Sequence, residues 1–133
     1  MHYGTIITAQ DLFRPGPPPD WVVIDCRFEL ADPAWGESAY RLGHIPGALN
    51  RPYTENLRRN ETFWSAAVLR AQWTALLGGR APGSVVHMCG SGVTACHNLL
   101  AMEIAGLSGS RLYAGSWSEW IADSARPVAV CAR

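Results

Sequence analysis

The chain lacks net charge. Eleven Lys and Arg side chains balance eleven Asp and Glu in 133 residues, so no field of one sign exists to hold nucleic acid or an anionic membrane. It also lacks any run of about eighteen apolar residues, which excludes a spanning helix of ordinary kind. The opening stretch MHYGTIITAQDLF has no basic region followed by a long apolar segment and a small-residue cleavage site. These absences predict a cytoplasmic protein with no nucleic-acid and no membrane partner. The four cysteines, Cys26, Cys89, Cys96 and Cys131, show no CxxC pairing and are too sparse for a secreted disulfide scaffold. They are read as reduced thiols. No repeat and no second-domain linker is visible, and the one biased stretch, RPGPPPD at 14–20, reads as a stiff loop. The expectation is a single domain over 1–133.

What is present is an alternation of short apolar runs with longer helical patterns. Trp21 to Cys26 (WVVIDC) and Ser84 to Cys89 are apolar runs ending on a polar residue or thiol, the pattern of parallel strands buried on both faces. Thr5 to Thr8, Ala48 to Asn50 and Arg111 to Tyr113 read as shorter strands. Between them, Phe63 to Leu77 carries Phe63, Ala67, Leu69, Trp73, Leu76 and Leu77 at helical spacings and stops at Gly78-Gly79. Gly92 to Ala105 reads as a second helix. Ser116 to Ala122 reads as a third, with Ser116 at the N-cap and Glu119 at capping-box spacing. Strands alternating with helices imply a parallel sheet covered on both faces, with ligands at the carboxyl ends of its strands.

Cys89 stands at such an end, followed by Gly90, Ser91 and Gly92. The glycines let the backbone turn tightly and aim N–H groups inward before a helix begins near Val93. Inward amides and the positive end of the helix favour thiolate over thiol, which makes a nucleophile. On composition alone, a structural cysteine at a strand end is an equal reading. The Gly-Ser-Gly sequence tips the balance toward chemistry.

The segment CGSGVTA resembles the active-site loop of the rhodanese superfamily, in particular of the 3-mercaptopyruvate sulfurtransferases. GHIPGALNRPY at 43–53, CGSGVTACHNLLAMEIAGL at 89–107 and LYAGSWSEW at 112–120 resemble the catalytic domain of those enzymes. The resemblance implies a rhodanese-like α/β fold with a central, mainly parallel five-stranded sheet flanked by helices on both faces. It implies no cofactor and no metal. Cys89 would take a sulfur atom from a small donor, become a persulfide, and pass the sulfur to a thiol or cyanide acceptor. The loop of Gly90, Ser91, Gly92, Val93 and Thr94 would hold the charged sulfur. Thiosulfate-preferring rhodaneses usually carry cations directly after the cysteine, where this chain has Gly90 and Ser91, so mercaptopyruvate is favoured as donor. A related fold uses a Cys-x5-Arg loop for phosphate monoesters; here that arginine is replaced by Ala95. A thiosulfate sulfurtransferase and a non-enzymatic persulfide carrier or interaction module stay open as alternatives.

The match also departs from the family. VVIDCRFELADP at 22–33 and AYRLGHIPGA at 39–48 resemble the first, inactive domain of the two-domain enzymes, whereas the chain from about Gly43 resembles the second. The arginines that bind the substrate carboxylate have no secure counterpart, leaving Arg27 and Arg41 as candidates. The resemblance further implies a relay from His44 to the loop serine and a pocket wall at Trp117. Against these stand structural readings: Asp25 pairing with Arg27 to hold the GHIPG turn, and His44 bonded within that turn. His87 and Cys89 share a strand face but lack a second ligand pair, so zinc is not expected. Cys96 is expected to pack. Cys26 could form a protective disulfide with Cys89 if their strands are neighbours. The pocket of one domain would be shallow, and a homodimer is expected to complete it.

Overall fold

The computed structural model describes residues 5–13, 21–27, 43–90 and 92–130. Each of the five apolar runs forms a strand: β1 (Ile6–Ile7), β2 (Val22–Asp25), β3 (Leu49–Asn50), β4 (Val85–Met88) and β5 (Arg111–Tyr113). They make one sheet of order β1-β5-β4-β2-β3, and all four pairings are parallel. β2 and β4 are buried at every position, which is why their sequences show no polar alternation. Register pairs Val22 through Asp25 with Val85 through Met88. β4 is thus the middle strand, and the loop after it opens at the centre of the sheet's carboxyl edge.

Among the described residues, four α-helices cover the sheet: α1 (Ala9–Phe13), α2 (Ala66–Leu77), α3 (Ala95–Ile104) and α4 (Ser116–Trp120). On one face Leu69, Trp73 and Leu77 of α2, with Ala101 and Met102 of α3, pack on Val22, Ile24 and Val85. On the other, Leu12 of α1 and Trp120 of α4 pack on Val23, Val86, Met88 and Tyr113. Period-two alternation therefore divides the side chains of β2 and β4 between two cores.

Helix boundaries differ from expectation where a tertiary contact competes. α2 starts at Ala66 because the Ser65 hydroxyl accepts the Val68 N–H at 3.3 Å. Phe63, expected inside it, instead bridges to Leu57 and stacks on His97 with ring centroids 4.7 Å apart, and Ala67 is exposed. The helix ends at Gly78, whose φ of 60° closes a left-handed cap. α3 starts three residues later than expected, since Gly92 holds φ at 95° and cannot continue a helix. The short α1 was not foreseen.

Candidate active site

Cys89 follows β4 directly, and its backbone is gripped by the start of α4. The Cys89 N–H donates to Ser116 Oγ at 3.1 Å, and that hydroxyl donates to the Tyr113 carbonyl at 2.9 Å. The Cys89 carbonyl accepts the Trp117 N–H at 2.9 Å, and the Gly90 carbonyl accepts both the N–H and the hydroxyl of Ser118, at 3.0 and 2.8 Å. In a trans peptide the C=O and the following N–H point opposite ways. Fixing the Cys89 carbonyl on α4 therefore turns the Gly90 N–H away from α4. Ser116 bears this contact at a positive φ of 55°, and its hydroxyl is spent on Cys89 rather than on an N-cap; Gly115 takes the cap position instead.

The sulfur itself receives the Gly92 N–H at 3.0 Å. Gly92 can reach it because a positive φ folds the chain back over the thiol, and because no Cβ is present to strike the Ala114 carbonyl. Gly90, by contrast, faces open space. Val93 is 74% exposed, Thr94 is half-buried and makes no side-chain capping bond, and Ala95 is buried. Cys89 is only 2% exposed. The arrangement is a covered sulfur with an amide donor aimed at it, ahead of a ten-residue helix whose N-terminus carries partial positive charge.

A polar network lies beneath the loop on the α2–α3 side. Asn98 Nδ2 donates to Cys26 Sγ at 2.8 Å and to the Arg51 carbonyl at 2.9 Å, while Asn98 Oδ1 accepts from Asn56 at 2.6 Å. Arg51 donates through Nε and Nη2 to Asn56 and through Nη2 to Gln72, with its guanidinium 4.6 Å from the Trp73 ring centroid. Burial pulls the Arg51 guanidinium below its usual range. Each of these buried polar groups has a partner, so the network fixes the 51–56 turn against α3. None of Arg51, Asn56 or Asn98 was singled out from the sequence. Asn98 carried a signal: it shares a helix face with Ala95, Ala101 and Met102, all buried, where a lone amide must find partners.

Asp25, Arg27 and Trp117 assemble on the opposite side. Arg27 donates through Nε and Nη2 to both oxygens of Asp25, at 2.8 to 3.0 Å, and through Nη2 to the Gly43 carbonyl. Its guanidinium sits 4.7 Å from the Trp117 ring centroid, and Trp117 also closes on Gly43. Burial raises the Asp25 carboxyl above its ordinary range, against the pull of Arg27. Arg27, Trp117 and the GHIPG turn are thus brought together, and the Trp117 N–H ties them directly to the Cys89 carbonyl. His44 is buried and exchanges both backbone hydrogen bonds with Ala129 at 2.9 Å. Arg41 and Ser91 lie outside the described residues, and with them the proposed serine relay. His87 points into the α2 core, its ring 5.6 Å from Trp73. Cys96 is exposed rather than packed, since its position turns it away from the sheet; its thiol reaches the Gly92 carbonyl at 3.5 Å.

A family model for the rhodanese-like domain matches residues 8–123, which include every element from α1 to α4. The chain belongs to the rhodanese-like domain family. Over 87 residues this rhodanese-like domain is 54% identical to the probable 3-mercaptopyruvate sulfurtransferase of Pseudomonas aeruginosa, covering 65% of the chain and 31% of that protein. It is 41% identical over 91 residues to the 3-mercaptopyruvate sulfurtransferase of Escherichia coli, covering 66% and 31%. A putative thiosulfate sulfurtransferase of Mycobacterium tuberculosis is 40% identical over 89 residues, covering 65% and 30%. The rhodanese-like domain spans under a third of the length of these relatives. Among solved structures, the anaerobic ergothioneine biosynthesis enzyme of Chlorobium limicola superposes with a TM-score of 0.75 at 16% identity, over 98% of this chain and 33% of that one. That likeness is one of fold.

Proposed function

We propose that this rhodanese-like domain is a sulfurtransferase in which Cys89 carries sulfur from 3-mercaptopyruvate to a small thiol or cyanide. The observation that carries the reading is the Gly92 N–H held 3.0 Å from Cys89 Sγ at the end of the middle strand. The Cys89 thiolate attacks the mercaptopyruvate sulfur, the carbon–sulfur bond breaks, and the enolate of pyruvate leaves and takes up the proton of the new persulfide. The charge then rests on the outer sulfur, where loop amides stabilise it without reorganising. An acceptor thiolate attacks that sulfur and regenerates Cys89. A sulfur this covered suits small or slender acceptors.

The identity to enzymes named for mercaptopyruvate supports the choice of donor. So does Gly90, which offers no cation to draw in thiosulfate dianion. Incubation with mercaptopyruvate should release pyruvate and add one sulfur to the Cys89 peptide by mass spectrometry, with Cys89→Ser as the blank. Absence of the added sulfur with either mercaptopyruvate or thiosulfate would leave a protein-loaded persulfide carrier as the better account.

Gly90 supplies a sharper test of donor preference. Its Cβ position is open among the described residues and its φ lies outside the left-handed range, so Gly90→Arg should fold normally. The new cation should raise the ratio of kcat/KM for thiosulfate over mercaptopyruvate by about tenfold, with the gain shrinking as salt is added. An unchanged ratio would mean that charge after the nucleophile does not choose the donor.

A further inference from the structure

The pairing of β2 with β4 does not stop where the strands end. Asp25 stands opposite Met88, and the Cys26 N–H donates to the Met88 carbonyl at 2.8 Å, which carries the register on and sets Cys26 beside Cys89. Adjacent strands run about 4.8 Å apart, inside the window of roughly 4.4–6.8 Å between Cα atoms that a disulfide bridges. Alternation puts both side chains on one face: Cys26 and Cys89 join the same apolar cluster as Val22 and Ile24, while Val23 and Met88 join the other. Cys26 is fully buried, and Asn98, itself held by Arg51 and Asn56, fixes its sulfur.

We propose that Cys26 is a resolving thiol, which closes a disulfide with Cys89 when a hydroperoxide oxidises the nucleophile and so stores the enzyme in a recoverable form. The proposal rests on the reading of Cys89 as the reactive thiolate. Peroxide takes two electrons from Cys89, giving the sulfenic acid and hydroxide. Cys26 sulfur then attacks Cys89 sulfur, the S–O bond breaks, and the Cys26 proton leaves with the oxygen as water. A dithiol reductant reverses the bridge by exchange, ending as its own cyclic disulfide while both cysteines return as thiols. Burial, with the charges of Asp25 and Cys89, pushes the Cys26 thiol well up. It therefore stays protonated in the working enzyme and does not compete for donor sulfur. Cys96 is unsuited to the role, for it is exposed on α3 and turned to the Gly92 carbonyl.

The test treats the full chain with a small excess of hydrogen peroxide, blocks remaining thiols and maps the digest. The expected product is a linked peptide pair containing Cys26 and Cys89, with sulfur transfer lost and then restored by dithiothreitol. In Cys26→Ala, and in Cys26→Val should the smaller side chain unfold the domain, the same dose should carry Cys89 to sulfinic acid. The activity recovered by dithiothreitol should then fall about tenfold relative to the unmodified chain. No linked pair in the unmodified chain, or a link from Cys89 to Cys96 or Cys131, overturns the proposal. The mapping needs no turnover. A link formed in a chain that transfers no sulfur would therefore count against the sulfurtransferase reading alone, and transfer without a link against the resolving thiol alone.

Discussion

Gly92→Ala should lower sulfur transfer by about two to three orders of magnitude, the loss typical of one displaced amide donor at a developing anion. Two independent obstacles meet at this position. An L-residue at φ of 95° is strained in any surroundings, and the added Cβ would run into the Ala114 carbonyl. That carbonyl belongs to the turn between β5 and α4, which also grips Cys89 and Gly90, so it cannot retreat without loosening the grip. The loop must shift instead, and the Gly92 N–H leaves the sulfur. Strain of this kind costs about 1–3 kcal/mol of stability, visible as a fall of several degrees in Tm. Gly90→Ala is the internal comparison, because its Cβ meets nothing among the described residues and should leave both rate and Tm near those of the unmodified chain. Equal behaviour of the two alanine variants in steady-state kinetics would show that the Gly92 amide does not serve the sulfur.

Acid should destabilise the domain through His87. Neither ring nitrogen finds a hydrogen-bond partner among the described residues, and burial pushes the pKa from 6.5 down to about 3. The unfolded chain binds a proton at His87 below pH 6.5, while the folded chain resists until about pH 3. Stability from this residue is thus complete above pH 6.5 and drains away as pH falls toward 3. The linkage amounts to about 2 kcal/mol by pH 5 and about 3 kcal/mol by pH 4. His97, also lowered by burial, acts in the same direction. Asp25, raised by burial, opposes both at the acid end. Urea unfolding at pH 7.5 and pH 5 checks the size, with His87→Leu expected to abolish about 2 kcal/mol of the difference. A leucine variant with the full acid sensitivity would assign it elsewhere.

The fold was legible because its two central strands, β2 and β4, are mostly apolar and buried at every position and its long helices are bounded by glycine, features that tertiary contacts rarely overrule. Capping signals were less dependable, and two of them show why. Ser116 with Glu119 has capping-box spacing, yet the Ser116 hydroxyl binds Cys89 and Glu119 accepts from the Tyr113 hydroxyl. Thr8 with Asp11 has the same spacing and passed unread, yet there the box forms: Thr8 N–H reaches Asp11 at 2.9 Å, and Asp11 N–H reaches the Thr8 hydroxyl at 3.2 Å. The exposed pair keeps its local hydrogen bonds. The buried one met a backbone amide with a stronger need. The same blindness hid Arg51, Asn56 and Asn98, whose partners include groups 21 to 72 residues away. The turn of the cysteine loop was readable because it is set by consecutive residues, and the Gly92 N–H does reach the Cys89 sulfur.

The grip of residues 116–118 on Cys89 and Gly90 also bears on when the site comes into being. Those contacts span 27 and 28 residues, and the strand that precedes them, β5, inserts between β4 and β1. During synthesis β1 leaves the ribosome first, yet its partner strand is the last of the five to arrive. Until residues 111–118 emerge, a nascent chain holds Cys89 without its clamps and β1 without its neighbour. Non-local closure of this kind is a late event in folding. The surroundings of Cys89 are therefore shaped only as the sheet is completed, so that the proposed site and a finished fold arrive together.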